Sequence, residues 1–342
     1  MKKVINGKLN LALDPIKYKY AWQFYQNAKK NFWTPEVVQI SDDIYSFKHM
    51  LSETEKHVFM HVFAQLSTQD AQVTSILNDI GSKFTSTEHS MAIAMQQSQE
   101  AVHVESYKYC ADHIGIDSSW LWSRWKHVPS IKAKIDYCNE IFNDSSDFIY
   151  QYLFLAGIFE GVFFMGGFSP IFALARNNKV MRVSEILQYI AIDEQSHVNF
   201  GLQNCKDIIR ENNLNFDQVE YGLVKMMTHS LKLELDYINF IFSEGGYLGY
   251  TVTAHMRHVT WLASQVFHKL GMNFDLVETE FDPVKLMWID EMLITNKEKN
   301  FFETRVTEYQ KTELSYVESK SYENMSEIEK TWDNLLVFKT GD

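Results

Sequence analysis

Cysteine, proline and glycine are all scarce in this 342-residue chain, at three, five and fourteen residues. The cysteines, Cys110, Cys138 and Cys205, are widely spaced and form no CxxC pair. That spacing excludes a disulfide framework and an ordinary zinc site, and predicts buried, reduced thiols. So few helix breakers favour long uninterrupted helices over strands and turns. No run of Lys or Arg occurs and the net charge is -12, so nucleic acid is not an expected partner. Neither GxGxxG nor a P-loop is present, so nucleotide binding is not expected. The opening "MKKVINGKLN" is basic with no apolar stretch behind it, which predicts no signal peptide and a cytoplasmic address. An acidic excess also suits a protein that docks on another protein.

What the chain does have is apolar content, 46% of residues, enough for a substantial core. One stretch, "FIYQYLFLAGIFEGVFFMGGFSPIFALA" at 148–175, has the length of a membrane span. It carries Glu160 near its middle, has flanks without a strong basic bias and has no counterpart elsewhere in the chain. A carboxylate is costly inside a membrane, so the expectation is the central helix of a soluble bundle, with no membrane. Helical periodicity dominates from about 16 to 315. Ser52 and Glu55 stand at capping-box spacing ahead of a helix over 52–80. Further helices are expected over 88–114, in shorter pieces over 119–142, over 145–175 and over 183–212. Asp282 before Pro283 reads as a cap and first-turn proline. The expected organisation is one all-α domain over 1–315 and a polar C-terminal tail over 316–342. That tail ends in Trp332, Leu335, Leu336, Val337 and Phe338, a cluster suited to ordering on a partner.

Within the helical stretches, "QEAVHVESY" places Glu100, His103 and Tyr107 on one face, since offsets of three and four residues are neighbours on a helix. A second Glu-x-x-His, Glu194 and His197, follows in "IDEQSH". About one such pair arises by chance in a chain this rich in Glu and His, so context carries the weight. Two other long helices each offer a lone carboxylate in apolar surroundings: Asp70, with Asp79 nearby on the same helix, and Glu160. One carboxylate from each of two helices and one Glu-x-x-His from each of two others is the ligand pattern of ferritin-like dimetal carboxylate bundles. Four carboxylates balance two divalent cations, and oxygen and imidazole donors suit iron or manganese. Bare, one carboxylate pair about 4 Å apart costs on the order of 4 kcal/mol at an effective dielectric near 20. The metal-free carboxyls are therefore expected to have raised pKa values. The bland alternative is a polar layer in a bundle, and natural cores rarely keep four acids and two histidines unpaired.

"QEAVHVESY", "LAGIFEGVFFMGGF" and "IAIDEQSHVNFG", in that order, resemble the radical-generating small subunit of class I ribonucleotide reductase. "NFWTPEVVQISDD" and "FFETRVTEYQK" extend the resemblance over nearly the whole chain. The resemblance implies a ferritin-like all-α fold and a dinuclear centre bound by Asp70, Glu100, His103, Glu160, Glu194 and His197, diiron first and dimanganese as the other option. It implies a stable radical at Tyr107, which lies one turn, about 6 Å of rise, beyond His103. Phe164, Phe168 and Ile190 fall on ligand-bearing faces and are expected to keep the radical dry. Radical transfer would run through Trp33, Asp193 beside metal-bound His103, and Tyr322 in the tail, with Tyr316 as runner-up. A carboxylate behind a ligating histidine is also expected on physical grounds. Implied partners are a large catalytic subunit engaged through the tail, a second copy in a homodimer, and an activase or flavoprotein that assists activation. Two departures stand out: Ile192 replaces an Arg common before the Asp-Glu pair, and Glu105 stands where many relatives have a basic or neutral residue. The rival readings are a stand-alone ferritin-like dimetal oxidase and a metal-storage or structural bundle.

Overall fold

Side-chain caps start several of the long helices. The computed structural model describes residues 3–143, 147–246 and 250–293. Helix α1 runs Lys19–Lys30 and the short α2 Ser41–Tyr45. At α3, Glu53–Gly81, Ser52 Oγ accepts from the Glu55 amide at 3.2 Å and Glu55 Oε2 accepts from the Ser52 amide at 2.8 Å, the reciprocal box expected from sequence. Helix α4, Thr87–Ile114, starts on Ser86 and stops at Gly115, whose φ of 84° closes the last turn in the left-handed region. The shorter α5, Ser118–Ser123, and α6, Pro129–Asn143, follow; α9 runs Met181–Glu211, α10 Phe216–Ile241 and α11 Val252–Leu270. Only isolated β-bridges, Ile5 with Phe84 and Asn10 with Ser86, occur among the described residues. All three cysteines are free and buried.

The apolar stretch departs from the regular helix over 145–175 that its sequence suggests. It starts as α7 at Phe148–Leu153, widens into a π-helix over Phe154–Phe164, and returns to α geometry as α8, Met165–Ala175. Glu160 lies in the widened part. π-Helical stretches are uncommon and gather at functional sites, because a widened turn re-aims a side chain. No residue pattern announces this one; the packing around it does. An added Cβ at Gly201 of α9 would come within 2.4 Å of Ala156, so glycine lets α9 close directly onto the π segment. Of the most apolar window in 148–175, 94% is buried, which makes it core. Helices α3, α4, α9 and the α7–π–α8 run form the centre, with α10 and α11 against the π segment.

The helix expected at Pro283 begins later, at 287. The reason is competition from α11: the Val284 amide donates to the Arg257 carbonyl at 3.0 Å and the Leu286 amide to His258 Nδ1 at 3.3 Å. Amides committed outward in this way hold 284–286 across α11. A compact unit runs over Met1–Asp290. The tail over 316–342, with Tyr316 and Tyr322, lies outside the described residues.

Candidate metal centre

Four helical segments bring the six sequence-nominated side chains together. Asp70 comes from the middle of α3, Glu100 and His103 from α4, Glu160 from the π segment, and Glu194 and His197 from α9. Asp79 faces solvent instead. The six fall into two overlapping groups, Asp70, Glu100, His103, Glu194 and Glu100, Glu160, Glu194, His197, each offering four ligand atoms within 4.8 Å of one another. Glu100 and Glu194 belong to both. His103 Nδ1 lies 3.0 Å from Glu194 Oε1 and 3.3 Å from Glu100 Oε2; His197 Nδ1 lies 3.0 Å from Glu100 Oε1 and 3.2 Å from Glu194 Oε2. Both imidazoles therefore turn the same ring atom inward, and two bridging carboxylates span the gap.

Burial makes this arrangement expensive. Five of the six side chains are fully buried, and Glu160 is 1% exposed. Both Asp70 oxygens, both Glu100 oxygens, His103 Nδ1, Glu160 Oε2 and Glu194 Oε1 have no hydrogen-bond partner. Each orphan of this kind costs about 1–3 kcal/mol, more when charged. Hard oxygen and nitrogen donors converging without donors of their own fit a pair of divalent cations. With protein groups alone, burial pushes the Asp70 and Glu160 carboxyls well above the carboxylate range. Glu100 departs from the expected rise. Burial works to raise it too, but His103 and His197 outweigh burial and hold it at about 2. Burial likewise opposes charge on the imidazoles, yet Asp193, Asp70, Glu100 and Glu194 push His103 well up, and Glu100 and Glu194 do the same for His197. The metal-free set thus holds protons on the Asp70 and Glu160 carboxyls as well as on the imidazoles, and metal binding has to displace them.

Behind the ligands stands a supporting layer. Trp33 Nε1 donates to Asp193 Oδ2 at 2.8 Å, and the same oxygen lies 3.4 Å from His103 Nε2. A carboxylate there fixes the ring with Nδ1 free for a metal. The Trp33 ring also stacks on His103 with centroids 6.1 Å apart and touches Tyr189 at 5.2 Å. Ile192 is half-buried and brings no side-chain donor to Asp193; Glu105 is exposed on α4. Sequence reasoning missed two glutamines of α4. Gln96 donates to Glu160 Oε1 at 2.7 Å, and Gln99 Oε1 takes the Nε2 side of His197 at 3.2 Å. Gln96 stands four residues before Glu100, so helical spacing could have found it. Gln99 stands four residues before His103, so the same spacing could have found it, although its contact is with His197.

Tyr107 sits one turn past His103, fully buried, its hydroxyl without a hydrogen bond. Burial first, then the Asp70 carboxylate, hold its pKa well above that of an ordinary phenol. Phe63 of α3 packs edge-on against it at 5.2 Å, a neighbour the sequence did not single out. Phe164, Phe168 and Ile190 are all fully buried.

A bundle of long helices enclosing two carboxylate-bridged donor groups defines a ferritin-like dimetal carboxylate protein. The family described as ribonucleotide reductase, small chain, matches residues 10–274, and the chain belongs to that family. It is 32% identical over 314 residues to the ribonucleoside-diphosphate reductase subunit beta of Chlamydia pneumoniae, covering 87% of this chain and 89% of that protein. The R2 subunit structure from Clostridium botulinum superposes with a TM-score of 0.79 at 25% identity, over 85% of this chain and 94% of that one. The dimanganese(II)-NrdF of Streptococcus sanguinis shares the fold, at TM-score 0.67 and 19% identity, over 82% of this chain and 95% of its own.

Proposed function

We propose that this chain is the radical-generating subunit of a ribonucleoside-diphosphate reductase, with Tyr107 as the stored radical. The observation that carries the reading is a fully buried phenol with an unbonded hydroxyl, one turn from a ligand histidine of the two-group cluster. Asp70, Glu100, His103 and Glu194 would hold one metal ion, and Glu100, Glu160, Glu194 and His197 the other. When bound, a redox-active pair supplies the one-electron oxidising equivalent after reaction with oxygen or a reduced oxygen species. Tyr107 would give one electron to that pair and its phenolic proton to the Asp70 carboxylate, the first charged group acting on that hydroxyl. Burial and the Phe63 ring keep water and reductants from the resulting neutral radical.

Trp33, Asp193 and His103 form a hydrogen-bonded line from beyond α1 to the cluster. This line supports Trp33 as the inner end of a radical-transfer route to a large catalytic subunit. Tyr322, or Tyr316 in its place, would continue it in the tail over 316–342, whose apolar end would dock on that subunit. Diiron is the first reading and dimanganese the second, since oxygen and imidazole donors suit both metals, and activation would draw on an activase or flavoprotein where manganese is used. A homodimer in the cytoplasm completes the reading. Family membership favours it over the stand-alone oxidase. Reconstitution with Fe(II) and oxygen, or Mn(II) with an activator, should give a tyrosyl electron paramagnetic resonance signal. Tyr107→Phe should remove that signal while leaving the helix content unchanged, and its persistence would reject the assignment.

A further inference from the structure

A second buried cluster lies outside the metal centre and has no part in the function above. Lys134 of α6 is fully buried and ion-paired to Glu234 Oε2 of α10. The other Glu234 oxygen, Oε1, lies 2.8 Å from His255 Nε2 of α11, and His255 Nδ1 lies 2.9 Å from the Tyr250 hydroxyl. Lys134 Nζ also sits over the rings of Phe163, at 4.5 Å, and Tyr237, at 4.0 Å. Phe163 follows Glu160 by three residues in the π segment, so this cluster abuts the segment that carries a metal ligand.

The hydrogen-bond directions follow from chemistry. A carboxylate only accepts, so His255 Nε2 carries a proton; in the neutral ring Nδ1 is then a bare acceptor, to which the Tyr250 O–H donates. Lys134 holds Glu234 ionised, and the Glu234 carboxyl lies below its ordinary value although burial opposes this. A buried ion pair is weak evidence of stabilisation by itself, since apolar residues of similar volume often serve as well. Here the pair has a chemical consequence: it keeps an anion against the far side of an imidazole that faces a phenol. Tyr107 has no imidazole in hydrogen-bond contact with its hydroxyl.

We infer that Tyr250 is a second redox-active tyrosine, with His255 as its built-in proton acceptor. In the step, Tyr250 gives one electron to the oxidant. Its O–H bond breaks as an N–H bond forms at His255 Nδ1, leaving a neutral phenoxyl radical and an imidazolium against Glu234. When a one-electron reductant restores the phenol, the proton returns. The oxidant would be the dimetal pair that the six side chains above would hold, which takes up the electron. That source rests on the proposed function; the site itself does not. Tyr250 thereby receives oxidising equivalents that Tyr107 does not hold.

Two arms separate site from source. In the first, metal-stripped full-length Tyr107→Phe protein is frozen, photolysed in the ultraviolet and annealed. Electron-nuclear double resonance should show a tyrosyl radical coupled to one strong exchangeable proton that vanishes in deuterium oxide preparations. Adding Tyr250→Phe should remove that component, with circular dichroism unchanged. A coupled component that survives Tyr250→Phe, or no exchangeable coupling at all, overturns the site. In the second arm, Tyr107→Phe protein is loaded with iron and exposed to oxygen. The same coupled radical should form, and Tyr250→Phe should abolish it. Its absence here despite a positive first arm overturns the dimetal centre as source.

Discussion

Two buried polar clusters sit in one helical bundle, and they solve the problem of buried charge in opposite ways. The Lys134–Glu234–His255–Tyr250 cluster brings its own cation, and each carboxylate oxygen of Glu234 faces a donor. The Asp70–Glu100–His103–Glu160–Glu194–His197 cluster brings four acids and two imidazoles with no Lys or Arg ion-paired to them among the described residues, and seven of its donor atoms are orphaned. Burial is nearly the same in both, so burial alone does not mark a site. Incomplete satisfaction does: a core that tolerates this many orphans is prepared for something the chain does not supply.

The largest effect should come from a carboxylate shared by both donor groups. Glu100→Ala is expected to reduce bound metal from two ions per chain to none, as measured by elemental analysis after loading. Retention of both ions would remove Glu100 from the bridge. In the self-satisfied cluster the corresponding break acts on folding. Lys134→Met should destabilise the protein by about 3–5 kcal/mol in denaturant titrations, because Glu234 is left as an uncompensated buried charge. Glu160→Gln should do the reverse to the metal-free chain, raising its stability by about 1 kcal/mol by replacing an orphaned acid with a neutral amide. The same change should weaken metal loading. If Lys134→Met and Glu160→Gln shift metal-free stability in the same direction, the contrast between the clusters fails.

A smaller effect separates kinds of histidine. His61 accepts from Arg124 Nε at 2.9 Å through Nε2 and donates from Nδ1 to the His57 carbonyl at 2.8 Å, so it is held neutral. Burial, with the neighbouring His57 and Arg124 charges, lowers it to about 4. Burial, with His255 and Lys285, lowers His258 to about 3. Above pH 6.5 neither the folded nor the unfolded imidazoles are charged and the full stability is present. As pH falls from 6.5 to about 4, the unfolded chain takes up protons that these folded sites refuse, so stability declines. His61→Gln should flatten that part of the profile in thermal melts of metal-free protein.

How much of this was legible in the sequence depended on whether the information was local. Glu100, His103 and Tyr107 share one helix, as do Glu194 and His197, and period and spacing were enough to pair them. The Ser52–Glu55 cap was equally local. Asp70 was separable from Asp79 only once α3 was seen to bury one and expose the other. The π widening around Glu160 has no residue signature, and the close approach of Gly201 to Ala156 beside it comes from another helix. Lys134 and Glu234 lie 100 residues apart, and each alone reads as an ordinary surface charge. At Pro283 the local cap signal was sound, and long-range bonds from 284 and 286 to α11 overrode it.

Diffraction from metal-loaded crystals, recorded on either side of the absorption edge of the loaded metal, tests the central claim most directly. The account predicts two anomalous peaks per chain, one among Asp70, Glu100, His103 and Glu194 and the other among Glu100, Glu160, Glu194 and His197. A single peak, or peaks elsewhere with these carboxylates unligated, would contradict it.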